Sequence, residues 1–92
     1  MDAFVYLLRC ADRSLYCGWT VDLDARLAAH REGRGGAYTR SHRPVGYAAA
    51  WRCPTPTAAR RLEALIKRMP RAAKLALVSG GEPPPPAERV LP

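Results

Sequence analysis

No stretch of this 92-residue sequence is apolar for anything near the ~20 residues that a bilayer-spanning helix needs. Asp2 stands where a secretory leader would carry positive charge, and the chain then passes straight into a strand-like pattern. Cysteine is sparse. Cys10, Cys17 and Cys53 are an odd number with no C-x-x-C pair, so they read as free thiols in a reducing compartment rather than as a disulfide framework or a zinc site. These absences together predict a soluble, cytoplasmic protein that does not span a membrane. There is no P-loop, no His-Glu-x-x-His and no Ser-His-Asp signature, and no internal repeat. Acidic residues are few, and no second carboxylate is spaced to share a two-metal site with Glu63. Asn is missing altogether.

What is present is basic. Lys and Arg number 15 against 8 Asp and Glu, a net charge of +7 on one small domain. Such an excess favours a polyanionic partner, most simply nucleic acid, with a membrane surface or an acidic protein as alternatives. A hydrophobic content of 48% argues against wholesale disorder.

Residues 3–10 and 15–19 are β-prone runs separated by the polar turn 11–14, which predicts an antiparallel hairpin. Gly18 marks a bulge or a close backbone approach. Asp22 is the expected N-cap of a helix over 23–32 that stops at Gly33, with Leu23 and Leu27 on its buried stripe. Residues 33–44 hold three Gly, three Arg, a His and a Pro, the composition of a mobile basic loop. A third strand is expected over 45–53. Thr55-Pro56 then opens a helix with Leu62, Leu65, Ile66 and Met69 at core spacing. Pro70 ends it, and a short helix over 71–79 stops at Gly80-Gly81. The expectation is an α+β domain over 1–80, a small central three-stranded antiparallel sheet flanked by helices in the order β-β-α-β-α-α. Residues 81–92, with five Pro, read as an extended, weakly ordered tail.

Several side chains could carry chemistry. Tyr6 and Tyr16 flank one turn, so the hairpin can bring them to one end of the sheet; ordinary strand aromatics are the plain alternative. Arg26 and His30 share a helix face. From that face Arg26 could reach a phosphate; a solvated face is the alternative. Glu63 lies between Leu62 and the Leu65-Ile66 pair, beside the apolar stripe, where a carboxylate needs a partner. A divalent cation is one candidate, and Lys67 four residues on is another. A metal would be a single hydrated Mg²⁺ or Mn²⁺ held by one carboxylate and substrate phosphate.

Taken in order, these residues resemble the GIY-YIG endonuclease superfamily, in its short stand-alone bacterial form. Phe4-Val5-Tyr6 and Tyr16-Cys17-Gly18 stand where the two naming tripeptides would. Trp19-Thr20, the capped helix with Arg26 and His30, Gly33, Tyr38-Thr39-Arg40 ahead of Pro44, and Glu63 with Lys67 continue the pattern over residues 3 to 79. Phe4 replaces a Gly and Cys17 an Ile, and the Asn that many members carry near the end of the domain has no counterpart.

The resemblance implies metal-dependent hydrolysis of phosphodiester bonds in DNA, structure-directed or nonspecific, in repair or processing. The alternative is a nucleic-acid-binding module of the same fold with little or no catalysis. Carried over, Tyr16 is the general base or positions the water, and Tyr6 supports it through hydrogen bonds. Arg26 stabilises the charge on the scissile phosphate, His30 contacts that phosphate or shares the proton transfer, and Glu63 holds the metal. Gly18 allows close packing beneath the site. Arg31, Arg34, Arg40, Arg43 and Lys67 are expected to contact the nucleic-acid backbone. Trp19, Tyr38 and Trp51 could stack on unpaired bases; core or rim packing is the other reading for the two Trp. A protein partner and the oligomeric state are left open.

Overall fold

Period-two alternation along residues 3–10 sends Ala3, Val5 and Leu7 to one side of a strand and Phe4, Tyr6 and Leu8 to the other. Both sides are rich in apolar residues, so both must be covered. In the computed structural model, which describes residues 1–83 and 85–91, this segment is β1 (Ala3–Cys10), an inner strand of the sheet. It is followed by β2 (Leu15–Thr20), α1 (Leu23–Arg31), α2 (Ala37–Ser41), β3 (Pro44–Cys53), α3 (Pro56–Lys67), α4 (Arg71–Val78) and β4 (Glu88–Leu91).

The strands form one antiparallel sheet in the order β2-β1-β3-β4. It therefore has four strands rather than the expected three, and the element order is β-β-α-α-β-α-α-β. Both additions fall in segments whose local sequence argues against regular structure. Loop 33–44 contains the five-residue α2, with buried Thr39 holding it down. The Pro-rich tail contributes β4, whose partners are tertiary. Glu88 pairs with Arg52 at 2.6 Å, Arg89 lies over the Trp51 ring at 5.4 Å, and the Arg89 guanidinium donates to the Leu77 carbonyl.

The helices begin where their caps place them. Asp22 accepts the Ala25 amide at 3.0 Å and Thr55 accepts the Ala58 amide at 3.1 Å, so each end satisfies a donor that would otherwise be orphaned. Gly33, at φ 80°, follows the end of α1. No helix among the described residues is long and apolar enough to cross a membrane.

The sheet separates two cores. On one side, Ala59, Leu62 and Ile66 of α3 and Leu77 of α4 pack on Val5, Leu7, Cys17 and Trp51. Trp51 is fully buried, which removes it from the side chains that could stack on a base. On the other side, Leu23 and Leu27 of α1 cover Tyr6, Leu8, Ala50 and Tyr47. A β-bulge decides this last membership. Leu7 pairs with Ala49 but Leu8 with Tyr47, so Ala48 is the extra residue. Ala48 and Ala49 both join the α3 core, and Tyr47 is turned to the α1 side. There its hydroxyl donates to the Leu23 carbonyl at 2.6 Å and ties β3 to the start of α1.

Ile66 is fully buried in the α3 core, whereas its neighbour Leu65 is 43% exposed. Ile66→Ala should therefore lower the unfolding free energy by about 2–5 kcal/mol. Leu65→Ala should change it by only about 0.5 kcal/mol. Urea unfolding of both variants checks this assignment of the helix face; equal losses would contradict it.

Candidate active site

The hairpin register places Tyr6 opposite Gly18 and Tyr16 opposite Leu8. Tyr6 and Tyr16 are thus diagonal neighbours on the α1 side of the sheet. The Tyr6 ring lies across the position that a side chain at residue 18 would fill. A Cβ built on Gly18 would stand 2.4 Å from the Tyr6 hydroxyl oxygen and 2.7 Å from Cζ. Glycine here is a packing requirement.

Tyr6 reaches over to α1. Its hydroxyl is 2.8 Å from His30 Nε2, and His30 Nδ1 is 2.7 Å from the Thr39 hydroxyl. The three residues are all buried. A Cβ on Gly35 would fall 2.1 Å from His30 Nδ1, so the backbone before α2 closes against the imidazole. Tyr16 meets the same ring edge-on, with centroids 5.4 Å apart, and stacks on Tyr38 at 5.5 Å. Tyr38 stacks in turn on His42 at 4.0 Å. A neutral imidazole satisfies both hydroxyls in either tautomer, because each hydroxyl can donate or accept.

Burial, opposed in part by the nearby Arg26 guanidinium, holds the Tyr6 phenol well above its ordinary titration range. Burial and the same guanidinium push His30 down. Tyr47 is pushed up to about 12, again by burial and against Arg26. One cation on α1 therefore acts on two phenols and an imidazole, and the chain from Tyr6 to Thr39 is a neutral, hydrogen-bonded unit near neutral pH.

Of the expected site residues, Tyr6, Tyr16, Arg26, His30 and Gly18 come together in this cluster. Glu63 does not lie on the same face. It sits on α3, across the sheet, where its backbone carbonyl faces the Cys17 thiol at 4.0 Å. Its carboxylate, 21% exposed, pairs with Lys67 at 3.7 Å. Since Cys17 and Tyr16 are adjacent on edge strand β2, Glu63 borders the margin that Tyr16 borders from the other side.

The expected backbone-contacting residues have divided. Arg31 donates to the Val45 carbonyl at 2.8 Å, Arg34 pairs with Glu32 at 3.0 Å, and Lys67 is engaged by Glu63. Arg40 and Arg43 are exposed and line a groove with Arg31. Trp19 is half-buried beneath the Arg60 guanidinium at 5.4 Å.

Three contributors went without a role in the sequence. Thr39 lay inside a noted stretch, but nothing local says that it bonds an imidazole. Gly35 looked like one of several loop glycines. Tyr47 reaches the α1 side only through the bulge.

The chain matches the family described as the GIY-YIG catalytic domain over residues 2–76. The chain belongs to the GIY-YIG family. Its relatives agree. It is 45% identical to a UPF0213 protein of Streptococcus sanguinis over 76 residues, 83% of this chain and 87% of that one. It is 46% identical to a UPF0213 protein of Nitratidesulfovibrio vulgaris over 81 residues, 86% and 74% of the two chains. Among solved structures it resembles the solution NMR structure of the UPF0213 protein BH0048 from Bacillus halodurans, with a TM-score of 0.57 and 40% identity over 90% of this chain and 89% of that one. GIY-YIG domains are nucleases acting on nucleic acid, generally with a divalent metal. The donor set here suits a loosely held cation. Glu63 is a partly exposed carboxylate, and the described residues contain no group of three His, Cys, Asp or Glu that could form an all-protein cage. One carboxylate plus substrate phosphate and water is the coordination that Mg²⁺ accepts.

The lowered His30 value has a definite sign. The unfolded chain takes up the imidazole proton near pH 6.5 and the folded chain resists it. Stability from this residue is complete above about pH 6.5 and declines as pH falls from there toward the folded value. The His30 resonance followed by NMR should titrate below 6.5; a midpoint at or above 6.5 would contradict the buried, Arg26-facing placement.

Proposed function

We propose that this GIY-YIG protein is an endonuclease that hydrolyses phosphodiester bonds in DNA with one Mg²⁺ or Mn²⁺, in a structure-directed or nonspecific manner, in repair or processing. The observation that carries the reading is the hydrogen-bonded chain Tyr6–His30–Thr39, with Tyr16 and Arg26 beside it on one face of the sheet.

The cluster supports distinct roles. Tyr6, kept as a phenol, is poorly suited to act as a base and well suited to hold a partner through its hydroxyl. Tyr16, half-buried and outermost, is the phenol a substrate can approach, and it serves as general base or positions the attacking water. His30, neutral and hydrogen-bonded at both ring nitrogens, shares that proton only by relay through its Tyr6 or Thr39 hydroxyl partner. Arg26 provides fixed positive charge for the scissile phosphate in a partly dry site, where such charge is worth most. Glu63 would hold the cation, which when bound supplies charge stabilisation at the phosphate and leaving oxygen. The Lys67 ammonium competes for the same carboxylate, so release of that pair accompanies cation binding. A second reading, a binding module with little catalysis, is favoured by that Glu63–Lys67 pair and by the absence of any Asn.

Nicking of plasmid and branched DNA with Mg²⁺ or Mn²⁺ decides between them. Tyr16→Phe and Glu63→Ala should each lower the rate about 10²-fold or more, and a chelator should abolish it. Equal rates in wild type and Glu63→Ala would overturn the catalytic assignment. Salt-dependent binding with no nicking by wild type would establish the second reading.

A further inference from the structure

Many cations of this chain already have internal partners. Lys67, Arg34 and Arg52 pair with carboxylates, and Arg71 donates to the Arg13 carbonyl. One place differs. Between α1, α2 and the start of β3 runs a groove lined by Arg31, Arg40 and Arg43. Arg31 is fixed in direction by its bond to the Val45 carbonyl. Arg40 and Arg43 make no ion pair among the described residues. The one acid on the groove wall, Glu32, has its carboxylate engaged by Arg34.

Three arginines lining one groove give it a positive potential that attracts an anion. Guanidinium forks match phosphate oxygens in particular. The groove's remaining wall includes His30 and Thr39, and the His30 imidazole also touches Tyr6 and Tyr16. The groove therefore adjoins the candidate active site through His30. The groove is open and its arginines are at the surface, which suits a strand passing through rather than an enclosed small anion.

We infer that this groove is a separate phosphate site: Arg31, Arg40 and Arg43 hold a backbone phosphodiester of the nucleic-acid strand, flanking the phosphate presented to Tyr16 and Arg26. Its function is to set where the strand lies, without reading its sequence. The inference rests on the nuclease reading for the identity of the strand, but it concerns binding and is tested without cleavage.

The test is fluorescence anisotropy of a labelled DNA strand over a range of salt concentrations, in a chelator. The strand is made with either a 5′-hydroxyl or a 5′-phosphate, and inorganic phosphate is added as a competitor in a separate arm. Arg40→Gln/Arg43→Gln should weaken binding about tenfold or more at low salt and reduce the slope of log affinity against log salt by about one. The loss should be the same for both strand ends. Arg61→Gln/Arg68→Gln removes equal charge from the α3 side and should change both quantities less. Circular dichroism confirms that each variant is folded. Equal effects of the two double variants would overturn the groove and leave only general charge. A loss confined to the 5′-phosphorylated strand, or inorganic phosphate competing as well as the strand does, would overturn the backbone assignment. A wild-type chain that binds in this pattern but never nicks would keep the groove and lose the nuclease.

Discussion

The hydrogen bond from Tyr6 to His30 joins the sheet to α1, and the rest of the site is arranged around it. It needs a phenol long enough to cross the interface. It needs Gly18 beneath the ring and Gly35 behind the imidazole, since a methyl group at either position would occupy space already taken. It needs Thr39 to satisfy the far nitrogen. Buried polar groups are stabilising only when all are paired, so this chain is fixed as a unit or lost as one. Tyr16 and Arg26 owe their positions to the two elements it connects.

The same interaction separates the two tyrosines chemically. They are diagonal neighbours on one hairpin, yet Tyr6 is buried and hydrogen-bonded while Tyr16 stays partly exposed and meets His30 and Tyr38 through its ring. Glu63 stands on the other side of edge strand β2, bordering the margin that Tyr16 borders. The groove of Arg31, Arg40 and Arg43 continues the surface on the far side of His30.

Features dictated by neighbouring residues were legible in the sequence. Asp22 and Thr55 cap because their side chains reach amides three residues on, and Gly33 follows α1 because its positive φ costs glycine little. The spacing of Leu62, Leu65, Ile66 and Met69 identified the buried face of α3 except at Leu65, which is exposed. The hairpin and its tyrosines followed from strand alternation and turn length. Features dictated by distant partners were not legible. β4 is a strand because Arg52, Trp51 and Leu77 hold its side chains, against a proline-rich context. α2 persists at five residues because Thr39 is anchored to His30. Tyr47 changes sides at a one-residue bulge that alternation cannot reveal, and Trp51, readable as a stacking surface, is sealed in the core. Glu63 was recognisable beside an apolar stripe, but which face of the sheet that stripe covers depends on the chain path.

The ¹⁵N spectrum of the His30 imidazole, recorded for wild type and for Tyr6→Phe at neutral pH, tests the central interaction most directly. Phenylalanine keeps the ring and removes only the hydroxyl. In wild type a neutral imidazole with both nitrogens hydrogen-bonded is expected, and in the variant a displaced Nε2 resonance in a folded protein. Identical imidazole resonances in the two proteins would mean that Tyr6 does not hold His30, and the arrangement described for the site would be wrong.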